Sequence, residues 1–182
     1  NIAMGLNALG AATTGCGNIA IGLTAMGAGV VAKSGSNDAC GNVAIGTNAM
    51  DALTCGIGNI AMAEHSLSAL TTGSYNVAIG DRTLATISTG GCNVALGFCA
   101  LSTSSNASHN VAIGTDALGN SDTTGNANIA IGASAGDAIL AGTRNVAIGR
   151  EAFGGATTAD YNVAIGDTAM GGSTTTGNHN IA

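Results

Sequence analysis

The triplet Asn-Val/Ile-Ala occurs eleven times in 182 residues, beginning at Asn1, Asn18, Asn42, Asn59, Asn76, Asn93, Asn110, Asn128, Asn145, Asn162 and Asn180. The steps between copies are 17, 24, 17, 17, 17, 17, 18, 17, 17 and 18 residues. A period in this range means one supersecondary unit stacked on copies of itself, each touching only its neighbours, so the chain is expected to build a rod. The fold class reads as all-β: a parallel β-solenoid, or β-roll, of about ten 17-residue coils that makes residues 1–182 a single repeat domain. The one long step, from Asn18 to Asn42, places an insertion loop near residues 27–40. Such loops lie on one face of a solenoid and serve either as binding loops or as plain surface excursions.

Aligned on the Asn, the unit reads N-[VI]-A-[IML]-G-x-x-A-[LM], followed by a variable stretch rich in Ser and Thr. Period-two alternation puts the second and fourth positions, such as Val77 and Ile79, on one face of a short strand. The third position is Ala in every copy: Ala3, Ala20, Ala44, Ala61, Ala78, Ala95, Ala112, Ala130, Ala147, Ala164 and Ala182. An unvarying Ala column is expected to be covered, as parallel strands usually are on both faces. One reading puts Val and Ile in the coil interior and makes the Ala column an inter-chain packing surface. The other turns Ala inward and the larger residues outward. Either leaves an apolar outer stripe that calls for a partner, so self-association is expected.

The Asn at each strand start suits a corner, because its side chain tolerates left-handed backbone and bonds neighbouring backbone groups. Stacked turn on turn, the eleven amides are expected to bond one another in a ladder along the rod. Gly at the fifth position, in nine of ten copies with Ala63 the exception, marks the next corner. The recurring Ala8-Leu9, Ala25-Met26, Ala100-Leu101 and Ala117-Leu118 pairs read as the second wall.

Composition narrows the function classes. Thirty Gly with only two Phe, two Tyr and no Trp leave a thin aliphatic core, and the absence of Pro suits unbroken backbone ladders. With a net charge of −6 and cations limited to Lys33, Arg82, Arg144 and Arg150, no basic stripe is available for nucleic acid. No apolar run approaches the roughly 20 residues of a membrane-spanning helix, so no membrane insertion is expected. The chain opens on Asn1-Ile2-Ala3 and stops on Asn180-Ile181-Ala182, both in strand phase. A segment of a longer chain, or ends that meet other copies, is expected from that phase.

Chemistry-bearing residues are few. Of Cys16, Cys40, Cys55, Cys92 and Cys99, the first two each lie two residues before a repeat Asn on successive turns. One strand step falls within the span of a disulfide, so a Cys16–Cys40 bridge stands beside the alternative of small buried thiols. Five cysteines without a C-x-x-C spacing do not make a zinc site. Glu64, Asp81 and Asp167 share the sixth position and Asp116 and Glu151 the seventh, a solvated corner flanked by Arg82 and Arg150, without the motif of calcium-binding rolls. His65, His109 and His179 are scattered, and no nucleophile–base arrangement can be assembled. No cofactor, metal site or catalysis is expected. The Thr pairs Thr13-Thr14, Thr71-Thr72, Thr123-Thr124, Thr157-Thr158 and Thr175-Thr176 read as turn hydroxyls. Adjacent Thr point to opposite faces, unlike the Thr-x-Thr array an ice-binding solenoid would present. Asn106-Ala107-Ser108 is the one N-glycosylation sequon.

The unit Asn-Val-Ala-Ile-Gly-x-x-Ala-Leu, with Thr71-Thr72-Gly73 ahead of Asn76, resembles the repeats of trimeric autotransporter adhesin heads and the slightly longer repeats of bacteriophage tail fibres. The resemblance covers the whole chain. It implies a β-roll, left-handed in the adhesins, with three chains packed around an axis. It also implies attachment to a host-surface receptor or matrix, at an extracellular, cell-surface or virion location. The expectation is therefore a non-enzymatic fibre segment that associates with itself. A homopolymeric filament of subunits stacked end to end is the alternative, and an ice-binding solenoid the third.

Overall fold

The computed structural model describes residues 1–10, 15–28, 39–120, 123–155, 158–172 and 177–182. Among these residues are ten strands and no helix: β1 (Ile2–Met4), β2 (Ile19–Ile21), β3 (Val43–Ile45), β4 (Ile60–Met62), β5 (Val77–Ile79), β6 (Val94–Leu96), β7 (Val111–Ile113), β8 (Ile129–Ile131), β9 (Val146–Ile148) and β10 (Val163–Ile165). They form one parallel sheet in chain order, with identical repeat positions paired throughout, for example Val77 with Val94 and Ala78 with Ala95. The chain is a β-solenoid whose coil is the repeat. Register holds across the long step too, since Ile19 pairs with Val43. Of the insertion expected near residues 27–40, residues 29–38 lie outside the described ones. At its far end, Ala39 is buried and accepts a bond from Asn18 Nδ2 at 2.7 Å.

Each strand ends after three residues because the fifth position turns the backbone sharply. Gly80 has φ +132°, and a Cβ there would sit 2.7 Å from the carbonyl oxygen of Gly97 on the next turn. Three further positions per turn adopt left-handed backbone, as at Tyr75, Arg82 and Leu84 with φ 60°, 56° and 50°. Such conformations cost L-residues about 1–2 kcal/mol each. They persist because each places its N–H on a neighbouring turn: Tyr75 on Ile57, Arg82 on Glu64 and Leu84 on Ala100, at 2.9, 3.0 and 3.1 Å. The left-handed corner residue is thus the one before the repeat Asn, and among the described residues the Asn itself is not left-handed.

The strand faces are the reverse of the first reading above. The Ala column from Ala20 to Ala164 is fully buried inside the coil, while Val and Ile at the second and fourth positions face out. Ala3 and Ala182, on the first and last turns, are exposed. The Ala column is therefore no inter-chain surface. The reason is steric. The interior is already filled from the other walls by long side chains, among them Leu67, Leu70, Leu84, Ile87 and Leu101, all fully buried. Opposite them the strand has room for a methyl group and little more. At Gly136, in the ninth position, a Cβ would lie 3.0 Å from Leu118 Cδ2 and 3.1 Å from Ile139 Cδ1, and the next turn carries buried Phe153 at the same position.

Candidate functional site

The outward second and fourth positions form two parallel aliphatic columns on the outer sheet face. Ile79 and Leu96 retain 37% and 43% of their surface, and Met62, Val94, Ile129, Ile131 and Ile165 are comparably or more exposed. No charged residue occupies either column from β1 to β10. Nine strand steps at about 4.8 Å make the face roughly 43 Å long. It is a contiguous apolar surface, longer than the scattered apolar residues usual on a monomer.

Behind this face runs the Asn ladder. From Asn18 to Asn162 the repeat Asn are buried. Asn59 Oδ1 accepts the N–H of Asn76 at 2.9 Å and its Nδ2 at 3.1 Å, and Asn76 Nδ2 also donates to the carbonyl of Gly90 at 2.9 Å. The same pattern links Asn18 to Asn42 and Asn145 to Asn162. At the ends Asn1 Oδ1 accepts from Asn18 at 2.8 Å, and Asn180 donates to Asn162 Oδ1 at 2.8 Å. An amide side chain carries two donors and an acceptor oxygen, so it is bonded on both sides at once.

A second ladder, missed in the sequence, occupies the position two before the Asn. There a side-chain acceptor on one turn receives the N–H of the preceding turn: Ser74 from Ile57, Ser108 from Gly91, Asn126 from Ser108, Asp160 from Thr143 and Asn178 from Asp160, at 2.7–3.1 Å. The signal was present as the polar run Ser74, Ser108, Asn126, Thr143, Asp160 and Asn178 at one repeat position. Cys40 takes this role for Cys16, whose N–H donates to its Sγ at 3.2 Å. Cys40, Cys55, Cys92 and Cys99 are thiols, and none of the five cysteines is buried, so the buried-thiol reading does not hold. Burial and the nearby Asp116 nevertheless push the Cys99 thiol up from its ordinary value.

The exposed corner residue next to the Asn forms a third column. At its far end the rings of Tyr161 and His179 stack at 5.0 Å, and Arg144 donates to the Tyr161 hydroxyl at 2.7 Å while its guanidinium lies 5.2 Å from the ring centre. His109 shares the column three turns before Tyr161.

The acidic corner is exposed at Glu64, Glu151 and Asp167, whereas Asp81 and Asp116 are half-buried and Asp81 Oδ1 is buried with no hydrogen-bond partner among the described residues. Arg150 pairs with Glu151 and Asp167, both at 2.8 Å, and His65 lies 3.6 Å from Glu64. Asp167, then Glu151, pushes Arg150 above its ordinary range. These paired side chains are exposed, and pairs of this kind contribute little to stability. Of the turn hydroxyls, Thr54 and Thr71 donate to carbonyls of the following turn at 2.8 and 3.0 Å, and Thr123 does so at 2.9 Å. Thr13, Thr14, Thr157, Thr175 and Thr176 lie outside the described residues. Among the described residues there is no enclosed pocket, no group of three His, Cys, Asp or Glu placed to hold a metal, and no helix long and apolar enough to cross a membrane.

Set against protein-family models, curated proteins and solved structures, the chain matches none of them.

Proposed function

We propose that this chain is a structural, non-enzymatic fibre segment that works by lateral association with copies of itself. The observation that carries the reading is the unbroken aliphatic face of the ten strands. Parallel sheets are ordinarily covered on both sides, and this one is covered on the inner side alone. Two half-exposed aliphatic columns of this length offer on the order of 1,000 Å² per chain, above the ~800 Å² per partner of a standard stable interface. A second copy presents the same aliphatic face with the same strand spacing of about 4.8 Å, so the repeats of the two match step for step.

Three copies around a common axis, each turning this face inward, is the arrangement we favour, and the resemblance of the repeat supports the number three. The attachment role and an extracellular, cell-surface or virion location rest on that resemblance as well. Sedimentation equilibrium tests the reading. The expected species is three chains of 17.2 kDa each. The double variant Ile79→Glu, Ile113→Glu should run as one chain with its β circular dichroism intact. A wild-type monomer at micromolar concentration would overturn lateral association. Unlimited filaments with a subunit-length repeat in projection images would favour end-to-end stacking instead.

A further inference from the structure

We propose that Cys16 and Cys40 are a disulfide pair that closes the long turn between Asn18 and Asn42 in an oxidising environment. The two residues hold the same repeat position on successive turns. Their backbones are already joined, the N–H of Gly41 donating to the carbonyl of Cys16 at 2.9 Å. Cys40 Sγ lies 3.2 Å from the backbone nitrogen of Cys16, directly over the residue it would bridge. Strands at about 4.8 Å fall inside the ~4.4–6.8 Å Cα window of a disulfide.

Two features set this pair apart. Five other steps of the column have the preceding N–H received by a side-chain oxygen, of Ser74, Ser108, Asn126, Asp160 or Asn178, while Ile57 and Gly91 supply no acceptor. Sulfur is a weak acceptor, so hydrogen bonding alone does not account for consecutive cysteines there. The pair also brackets the one enlarged step, and a bridge would tie its two ends together whatever lies between, which is where a crosslink restrains the chain most. Cys55, Cys92 and Cys99 occupy three other repeat positions and have no cysteine beside them in their columns.

The electron acceptor is a low-molecular-weight disulfide such as oxidised glutathione. Cys16 is exposed and Cys40 half-buried, so Cys16 reacts first. Its thiolate attacks one glutathione sulfur, the glutathione S–S bond breaks, and the departing thiolate takes up the proton that Cys16 lost. The Cys40 thiolate then attacks the Cys16 sulfur of the mixed disulfide and expels the second glutathione, which takes up the second proton. Two protein thiols are oxidised and one glutathione disulfide is reduced to two thiols.

The test uses the folded chain, treated with oxidised glutathione, alkylated, unfolded and digested with trypsin without reductant. Lys33 is the sole cleavage point between Cys16 and Arg82, so fragments 1–33 and 34–82 stay joined only through a bridge. The expected result is a joined pair that persists in Cys55→Ser and is lost in Cys40→Ser, where Cys16 keeps one glutathione. Cys40→Ser supplies the hydroxyl that Ser74 and Ser108 already use, so the ladder and the fold are retained. Separate fragments with glutathione on Cys16 and an alkylated Cys40 in the wild type would overturn the proposal. A Cys16–Cys16 link between two copies would do so too.

Discussion

The side-chain oxygen of Asn59 holds both the backbone N–H and the side-chain amide of Asn76, at 2.9 and 3.1 Å, inside a coil that admits no solvent to either residue. Asn76 in turn accepts from the N–H and Nδ2 of Asn93 at 3.1 and 3.0 Å. Asn76→Ala keeps the backbone N–H on Asn59 and strands groups on two residues, the carbonyl of Gly90 and the N–H of Asn93. A buried polar group left without a partner costs about 1–3 kcal/mol, so the variant should lose at least about 2 kcal/mol. Asn1→Ala, on the exposed first turn, should lose well under half of that. Urea unfolding of the two variants checks the contrast, and equal losses would mean the ladder carries no special weight.

Neighbouring residues of one strand should respond in opposite ways. Ala78 is fully buried, and Ala78→Leu forces four-carbon bulk against Leu84 and its neighbours, at a cost of about 1–3 kcal/mol or more. Val77 faces out, and Val77→Thr keeps the β-branched shape, so stability of the isolated chain should move by no more than about 0.5 kcal/mol. Unfolding midpoints of the two variants read this directly. A tolerant Ala78 with a sensitive Val77 would reverse the assignment of faces.

How far the fold was legible follows from what each residue type can do. The period stood out because one copy of the triplet is one turn, and the Asn ladder because an amide bonds in both directions at once. Alternation separated Val77 and Ile79 from Ala78 but could not say which side was inside. That depends on the reach of the opposite wall, and Leu84 and Ile87 fill the interior so fully that only a methyl fits across from them. The left-handed backbone at Tyr75 and Leu84 was not legible either. Neither residue type favours it, and bonds to adjacent turns impose it. The column through Ser74, Ser108 and Asp160 was readable in principle, being polar at one repeat position, but its bonding needed the turns to be seen in register.

The fifth position gives a test of backbone strain. Gly80→Ala would bring a Cβ to 2.7 Å from the Gly97 carbonyl oxygen at φ +132°, and a loss of about 2 kcal/mol is expected. Ala63 already stands at this position, with φ at 104°, where the backbone has turned away from the glycine value. Ala63→Gly should relax it and raise stability by up to about 1 kcal/mol. Thermal unfolding of both variants measures the pair. A clear loss from Ala63→Gly would show that the turn is not strained there.

Asp160 links the second ladder to pH. Its carboxylate accepts the backbone N–H of Thr143 at 2.7 Å and the Thr143 hydroxyl at 2.9 Å, and these bonds, the N–H first, hold it below the ordinary aspartate range. Both favour the charged form. A carboxyl whose folded value lies below its unfolded one stabilises the fold fully above the unfolded value, and the contribution fades as pH falls through the folded value. The acid limb of stability should therefore carry a component from Asp160, absent in Asp160→Asn, at pH below the ordinary carboxyl range. Thr143→Val removes the hydroxyl and keeps the N–H, so the Asp160 midpoint should move part of the way back up. Carboxyl carbon shifts followed by NMR through the acid range resolve both. An Asp160 that titrates at the ordinary value in the wild type would mean that the Thr143 bonds are not held in solution.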